Sequence, residues 1–311
     1  MAVTSVPHER RAKSVPTRRP HEVLIEGLIR TAGISAVIFV VLIFLFLVRQ
    51  GLPAFFEIAP ANLLGRRWYP TYGFYGIAPL VVGSLLVTLG AVVIALPLGV
   101  ASAIYIGEIA PRQVRDVLKP AIEVLAGIPS VVLGFLGILV VSPLIRRYTG
   151  APTGLTAFTG SLILAYMALP TIISVAEDAL DAVPKEYRDA ARALGATEWQ
   201  TIWRVAVPAA RSGIVTAVML GIGRAIGETM AVMMVTGNAA RIPREWTMFF
   251  RPIRTMTATI AAEMGEVAQG STHFHLLFAV GMILFVMTFT INAVASWVVL
   301  RQGARAEKRV L

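Results

Sequence analysis

Between Gly221 and Asn238 the chain reads GIGRAIGETMAVMMVTGN. Arg224 and Glu228 are the two charged residues in an otherwise uncharged run from Ser212 to Thr236. An arginine at the centre of a membrane helix costs about 2.5–3.5 kcal/mol on insertion scales. A guanidinium also offers a planar fork of donors that suits a tetrahedral oxyanion. On a continuous helix Arg224 and Glu228 lie four apart, share a face and can pair. Two readings follow. In one, Arg224 is a gate or transient site for an anion, and Glu228 holds it between transport events and competes with the anion for it. In the other, the two form a buried ion pair that locks helices together, a poor stabiliser on balance. Gly221, Gly223 and Gly227 are small residues spaced for close helix packing, and Gly223 and Gly227 form a GxxxG.

Composition says what must position these residues. The 311-residue chain is 56% hydrophobic, and its charged residues amount to 15%, against about 25% in a soluble domain. Mean hydropathy is +0.73. The expected class is an all-α polytopic membrane protein. The chain has no cysteine, which excludes disulfides and thiolate metal sites, and its four histidines (His8, His21, His273, His275) form no metal cluster in sequence. No metal site is expected.

Residues 1–30 read as a basic cytoplasmic tail without the short apolar core of a signal peptide, with helix beginning near His21 to Glu26. Six uncharged or kinked apolar runs then follow. They are Thr31 to Val48, closed by Arg49; Ile77 to Gly107, with Pro97 inside; about Val124 to Ile145; about Phe158 to Ala176, with Pro170 inside; Ser212 to Thr236; and Leu276 to Leu300. In the third run, Gly127, Pro129, Gly134 and Gly137 imply a segment facing protein or a cavity. Trp68, Tyr69, Tyr72, Phe74 and Tyr75 in the first loop fit an interfacial aromatic belt. In the loop 237–275, Met256, Ile260, Met264 and Val267 share a helical face, and Thr255, Thr257, Thr259, Glu263 and Glu266 would face elsewhere. The expected organisation is 1–30 tail, 31–76 first helix and outer loop, 77–300 transmembrane domain and 301–311 cytoplasmic tail.

Charge sets the orientation. With the N-terminus inside, inner segments hold 18 of the 28 Lys and Arg, and outer loops hold eight. The positive-inside rule places both termini and the loop 177–211 in the cytoplasm of a plasma membrane. The net charge of +10 is therefore mostly a topology signal facing membrane lipid. With no binding fold beside it, nucleic acid is not expected as a partner.

The loop 177–211 contains KEYRDAARALGATEWQTIWRVAVP, from Lys185 to Pro208. Ala190, Ala191, Leu194, Thr201, Ile202 and Trp203 can lie on helical faces. Gly195 can split the run into two short helices, and Pro208 stops the second helix or opens the next. Lys185, Glu186, Arg188 and Arg192 make a charged rim. Such a piece suits docking into a groove; otherwise it is an ordinary helical hairpin. The chain lacks G-x-x-x-x-G-K-[ST], since no Gly-Lys pair occurs. It also has no nucleophile–base arrangement within a span. ATP chemistry must come from a partner, and no enzyme activity is expected here.

Asp189-Ala190-Ala191, three residues, Gly195, nine residues and Val205-Ala206-Val207-Pro208 resemble the EAA loop of bacterial ABC-importer permeases. Asp189 stands for the usual glutamate, which shortens the reach of that contact. GIGRAIGETMAV, LAGIPSVVLGFLG (Leu125 to Gly137), YGIAPLVVGSLLVT (Tyr75 to Thr88), GEIAP (Gly107 to Pro111) and TMTATIAAEMGE (Thr255 to Glu266) narrow the resemblance. Together they point to the phosphate-specific permeases of the PstC type.

The resemblance implies six transmembrane helices of the type I ABC-importer fold with a cytoplasmic coupling loop. It implies four kinds of partner: a PstA-like sister permease, a PstB-like ATPase dimer carrying ATP and magnesium, a PstS-like extracytoplasmic binding protein, and phosphate itself. Asp189, Ala190, Ala191, Gly195 and Pro208 would dock the ATPase, and Arg224 and Glu228 match charged residues linked to phosphate passage. Alternatives are a permease for sulfate, molybdate or phosphonate, and a phosphate-sensing membrane scaffold.

Overall fold

The computed structural model describes residues 20–242 and 246–307. Arg10, Arg11, Lys13, Arg18, Arg19 and Arg244 lie outside the described residues, as does the end of the C-terminal tail. Two compact units are distinguished, residues 1–46 and residues 47–311. Helix α1 is Pro20–Glu57. Over its first part Leu28, Ile34, Phe39 and Leu42 are exposed, as an apolar helix facing lipid requires. The helix does not stop at Arg49 as expected. Arginine is a good helix former, and its long side chain can reach out of an apolar layer, so the helix runs eight residues further.

The second unit is a helical bundle. Its elements are α2 (Pro60–Leu63), the hairpin β1 (Trp68–Tyr69) and β2 (Phe74–Tyr75), α3 (Ala78–Ile104), α4 (Arg112–Ala126), α5 (Ser130–Leu136) and α6 (Ser142–Thr149). After these come α7 (Ala157–Asp181), α8 (Lys185–Ala193), α9 (Glu198–Thr201), α10 (Val207–Ala209), α11 (Arg211–Gly227), α12 (Met230–Val235), α13 (Met256–Glu263) and α14 (Thr272–Glu307). Wide π-helical turns extend α3 over Tyr105–Ile109, join α5 to α6 over Gly137–Val141 and join α9 to α10 over Ile202–Ala206. Five described helical segments are long and apolar enough to cross a membrane, and six if a bent pair counts as one crossing. Pro97 and Pro170 sit inside α3 and α7 without ending them.

The centre of the bundle is built on small residues. Ala91 and Ala95 of α3, Ala165 and Ala168 of α7, Ala225 of α11 and Ala231 of α12 are buried in one cluster. Without a hydrophobic drive between helices in lipid, close approach of backbones is what packs them. A Cβ on Gly99 would lie 2.7 Å from Ile172 Cγ2, and one on Gly221 2.5 Å from Ile172 Cγ1. Ser161 Oγ donates to the Val87 carbonyl across the same interface, at 3.1 Å. Gly134 and Gly137 press on Met234, Ala231 and Val235, so this helix does face protein. Its start differs from expectation: Val124 and Leu125 belong to α4, and Gly127 and Pro129 form the break before Ser130. A residue ahead of proline is driven out of helical conformation, which separates the two helices.

A second cluster joins the end of α1, the hairpin, α13 and the start of α14 through Ala54, Ile58, Trp68, Leu80, Met256, Leu277 and Val280. Trp68 is therefore not part of an aromatic belt. It is 0% exposed, and its Nε1 donates to Glu263 at 3.1 Å. Glu263 also accepts from Arg254 Nη1 at 2.7 Å and lies 2.8 Å from His273 Nε2. The tryptophan's polar handle found a carboxylate, and its ring followed into the core. Thr255, Thr257 and Thr259 are also buried rather than turned away. Thr255 caps α13 by accepting from Ala258 N, and Thr259 Oγ1 donates to the Thr255 carbonyl.

Gly83 marks where α3 meets this outer segment, since a Cβ there would overlap the Arg254 carbonyl oxygen. Gly83→Ala is expected to destabilise the protein by about 1–3 kcal/mol through overpacking. It should lower the thermal midpoint in detergent. Gly33→Ala, whose methyl meets nothing within 4 Å, should cause no such drop; equal losses for the two would contradict the assigned packing.

Candidate functional site

The fifth crossing is broken where its charges lie. Helix α11 ends at Gly227, Glu228 is extended (φ −68°, ψ 130°), and a new helix starts at Met230. Side chains take up groups that the break frees. Glu228 Oε1 accepts from Ala231 N at 3.2 Å, and the Glu228 carbonyl accepts from Thr257 Oγ1 at 3.0 Å. Thr229 Oγ1 donates to the Gly227 carbonyl at 3.3 Å. Irregular backbone of this kind is tolerated at membrane depth only against protein or a water-filled cavity.

The expected Arg224–Glu228 pair is not formed among the described residues. Four-residue spacing brings side chains together only along a continuous helix, and the break turns Glu228 toward the amides of α12. Arg224 Nη1 donates instead to Thr171 Oγ1 of α7 at 3.2 Å. The guanidinium is exposed, and its protein partner here is a neutral hydroxyl. The expected GxxxG packing is also reduced. Gly221 is pressed against Ile172, while Gly223 meets Asn292 Oδ1 at 3.9 Å and Gly227 meets nothing within 4 Å.

The loop after α7 forms two short helices about Gly195, which adopts φ +83°; a left-handed turn is cheap for glycine alone. Thr197 and Gln200 close a capping box at the start of α9. Pro208 sits at the start of α10, and the chain bends by 69° between Glu198–Ala209 and Arg211–Gly227. Asp189 and Ala190 are exposed and Ala191 partly so. Leu194 is 89% exposed, beside exposed Tyr187, Trp199 and Trp203. Thr201 and Ile202 turn inward instead. Ile202 packs with Ile104, Leu180, Val183 and Ala210, so the outward face carries the tryptophans rather than these two.

Beneath this loop lies an ion network. Glu177, 1% exposed at the end of α7, accepts from Arg115 and from Lys119, the latter at 2.7 Å. Arg115 also pairs with Asp181, and Lys119 with Asp178 at 3.1 Å. Arg188 of α8 donates to Glu108, at 3.2 Å from Nε, and to the carbonyls of Val183 and Leu180 at 2.7 and 2.9 Å. Burial opposes the charge on Arg115, but Glu177 and Asp181 outweigh it and raise the guanidinium above its ordinary value. The hydrogen bond with Glu177 raises Lys119 in the same way, and that with Glu108 raises Arg188. Arg188 is thus an internal tie, not part of a solvated rim.

The family model described as "Binding-protein-dependent transport system inner membrane component" matches residues 95–307, more than half of the chain. The chain belongs to this family. It is 40% identical over 286 residues to the "Probable ABC transporter permease protein YqgH" of Bacillus subtilis, covering 90% of this chain and 92% of that one. It is 38% identical over 262 residues to the "Phosphate transport system permease protein PstC" of Mesorhizobium japonicum, covering 78% and 79%. Among solved structures, a bacterial ABC transporter involved in the import of the acidic polysaccharide alginate superposes with a TM-score of 0.60 at 16% identity, over 91% of this chain and 99% of that chain. That likeness shows the fold alone, the type I importer permease. As a family member the chain is a multi-pass inner-membrane permease subunit without catalysis of its own. ATP hydrolysis resides in a separate ATPase, and an extracytoplasmic binding protein supplies the solute.

Thr171, Glu177, Arg115 and Lys119 were not singled out from sequence. The signal for the last three was available. Acidic Glu177, Asp178 and Asp181 close one span on the same side as basic Arg115 and Lys119. Thr171 carries no such signal, since an apolar span holds many threonines.

The geometry assigns Glu228 to capping. Glu228, one residue ahead of the N-cap Thr229, accepts from Ala231 N, and Glu228→Ala should cost about 0.5–1.5 kcal/mol of stability, the usual net worth of one hydrogen bond. Glu228→Gln keeps an acceptor oxygen and should retain most of it in a thermal melt. Equal losses for Ala and Gln would restore the ion-pair reading.

Proposed function

We propose that this chain is the PstC-type permease subunit of an ATP-driven importer of inorganic phosphate working by alternating access. The observation that carries the reading is Arg224, exposed at a broken membrane helix and held by the Thr171 hydroxyl. Against lipid such a charge is costly, so its surroundings in the working complex are water, an anion or a partner subunit. Its free donors suit a phosphate oxygen pair. The relatives that bear the name PstC support the choice of anion.

In this reading Glu228 shapes the pathway by holding the break that presents Arg224. The turn at Gly195 and the face with Asp189, Ala190 and Ala191 enter a groove of a PstB-like ATPase, and Pro208 fixes the bend behind them. A PstA-like sister permease completes the pore, and a PstS-like binding protein delivers phosphate. Closure of the ATPase dimer moves the docking loops and exposes Arg224 to one side and then the other. The binding protein sets most of the specificity.

The test is ATP-driven uptake of labelled phosphate into proteoliposomes holding the whole complex, with excess sulfate as competitor and ATP hydrolysis followed in parallel. Wild type should import phosphate in the presence of sulfate. Arg224→Gln should hydrolyse ATP while uptake falls by more than about ten-fold, as loss of a charged hydrogen bond worth roughly 1.5–3 kcal/mol implies. Normal uptake by the variant removes Arg224 from the pathway. Sulfate uptake in preference to phosphate overturns the substrate, and hydrolysis without any uptake by wild type favours a sensing scaffold.

A further inference from the structure

We infer that Glu108 and Arg188 form a positioning pair that passes movement of the docking helix α8 to the inner end of the second span. The inference rests on the importer reading above. Helix α8 has no fully buried residue, so apolar packing of its side chains contributes little to holding it on the bundle. Arg188 and Ala191 are its partly buried residues, and the Arg188 side chain is 14% exposed against 8% for Glu108. Its fork spans three elements: α8 that carries it, the end of α7 through the Leu180 and Val183 carbonyls, and the π-helical turn below α3 through Glu108. A cation at the C-terminal carbonyls of α7 also complements that helix's dipole.

The neighbouring Asp189–Arg192 pair offers a contrast. It spans 3.7 Å, and both side chains are more than half exposed, so it contributes little. A planar guanidinium loses little freedom for each bond it makes, which suits a rigid tie. Glu177 then fastens α4 to the same end of α7 through Arg115 and Lys119. A push on α8 reaches α3 through Glu108, and α4 travels with α7.

The chain has no cysteine, so in a full complex whose other subunits have had their reactive cysteines replaced, spin labels can be placed at Glu186→Cys and Tyr105→Cys. The wild-type label distance should be narrow and the same in nucleotide-free and ATP-bound states. With Glu108→Gln added, it should broaden or differ between the two states. Phosphate imported per ATP hydrolysed should fall at least about five-fold, the lower end of typical coupling, while hydrolysis persists. Glu108→Asp, which keeps the charge, should recover part of that ratio.

A Glu108→Gln complex with the wild-type ratio and an unchanged narrow distance overturns the inference. Should that complex fail to assemble, Arg188→Lys keeps the charge and loses the fork, and an unchanged distance there overturns it equally. If the wild-type complex imports no phosphate, the importer reading fails, but the label distance still decides the pair's role because it needs only nucleotide.

Discussion

The buried carboxylate of Glu177 is the constraint on which the docking-loop end of the bundle depends. An unpaired buried charge costs several kcal/mol, and only close opposite charges with good geometry offset that. Glu177 has two, from Arg115 and Lys119. Satisfying it fixes α4 against α7, and Asp178 and Asp181 extend the contact. The same end of α7 takes the Arg188 fork from above. The loop proposed to dock the ATPase is therefore carried on a platform held by charge, while the spans behind it are held by small apolar residues. These two kinds of adhesion suit two media, one wet and one lipid.

At membrane depth the problem is inverted. Among the described residues no carboxylate pairs with Arg224, and the helix carrying it is interrupted four residues later. The interruption is stabilised by Glu228, Thr229 and Thr257, so the backbone cost of the break is met locally. Among the described residues the guanidinium's protein partner is the Thr171 hydroxyl. In the proposed reading, an anion from outside the chain is what completes its contacts.

Much of this architecture was legible in the residues. Long uncharged runs gave the crossings, because burying charge in lipid is expensive. Gly195 and Pro208 gave the two-helix form of the loop after α7, because their backbone preferences are local. What sequence could not give were contacts between residues far apart in the chain. Trp68 looked like a belt residue until Glu263, 195 positions away, supplied its hydrogen bond. Thr201 and Ile202 could be placed on a helical face but not on a side, because a short helix gives no hint of which side meets the bundle. The break at Glu228 was hidden for another reason. Apart from Arg224 and Glu228 the run around it is uncharged and has no proline, and periodicity measures a face without showing whether the helix carrying it is whole.

Electron cryomicroscopy of the assembled complex, with phosphate present and trapped in nucleotide-free and ATP-bound states, tests the central claim most directly. In at least one state the account predicts anion density within hydrogen-bond distance of the Arg224 guanidinium, with Glu228 still capping α12. A guanidinium paired to a carboxylate of the sister subunit in every state, with no anion beside it, would contradict the account and make Arg224 a structural lock.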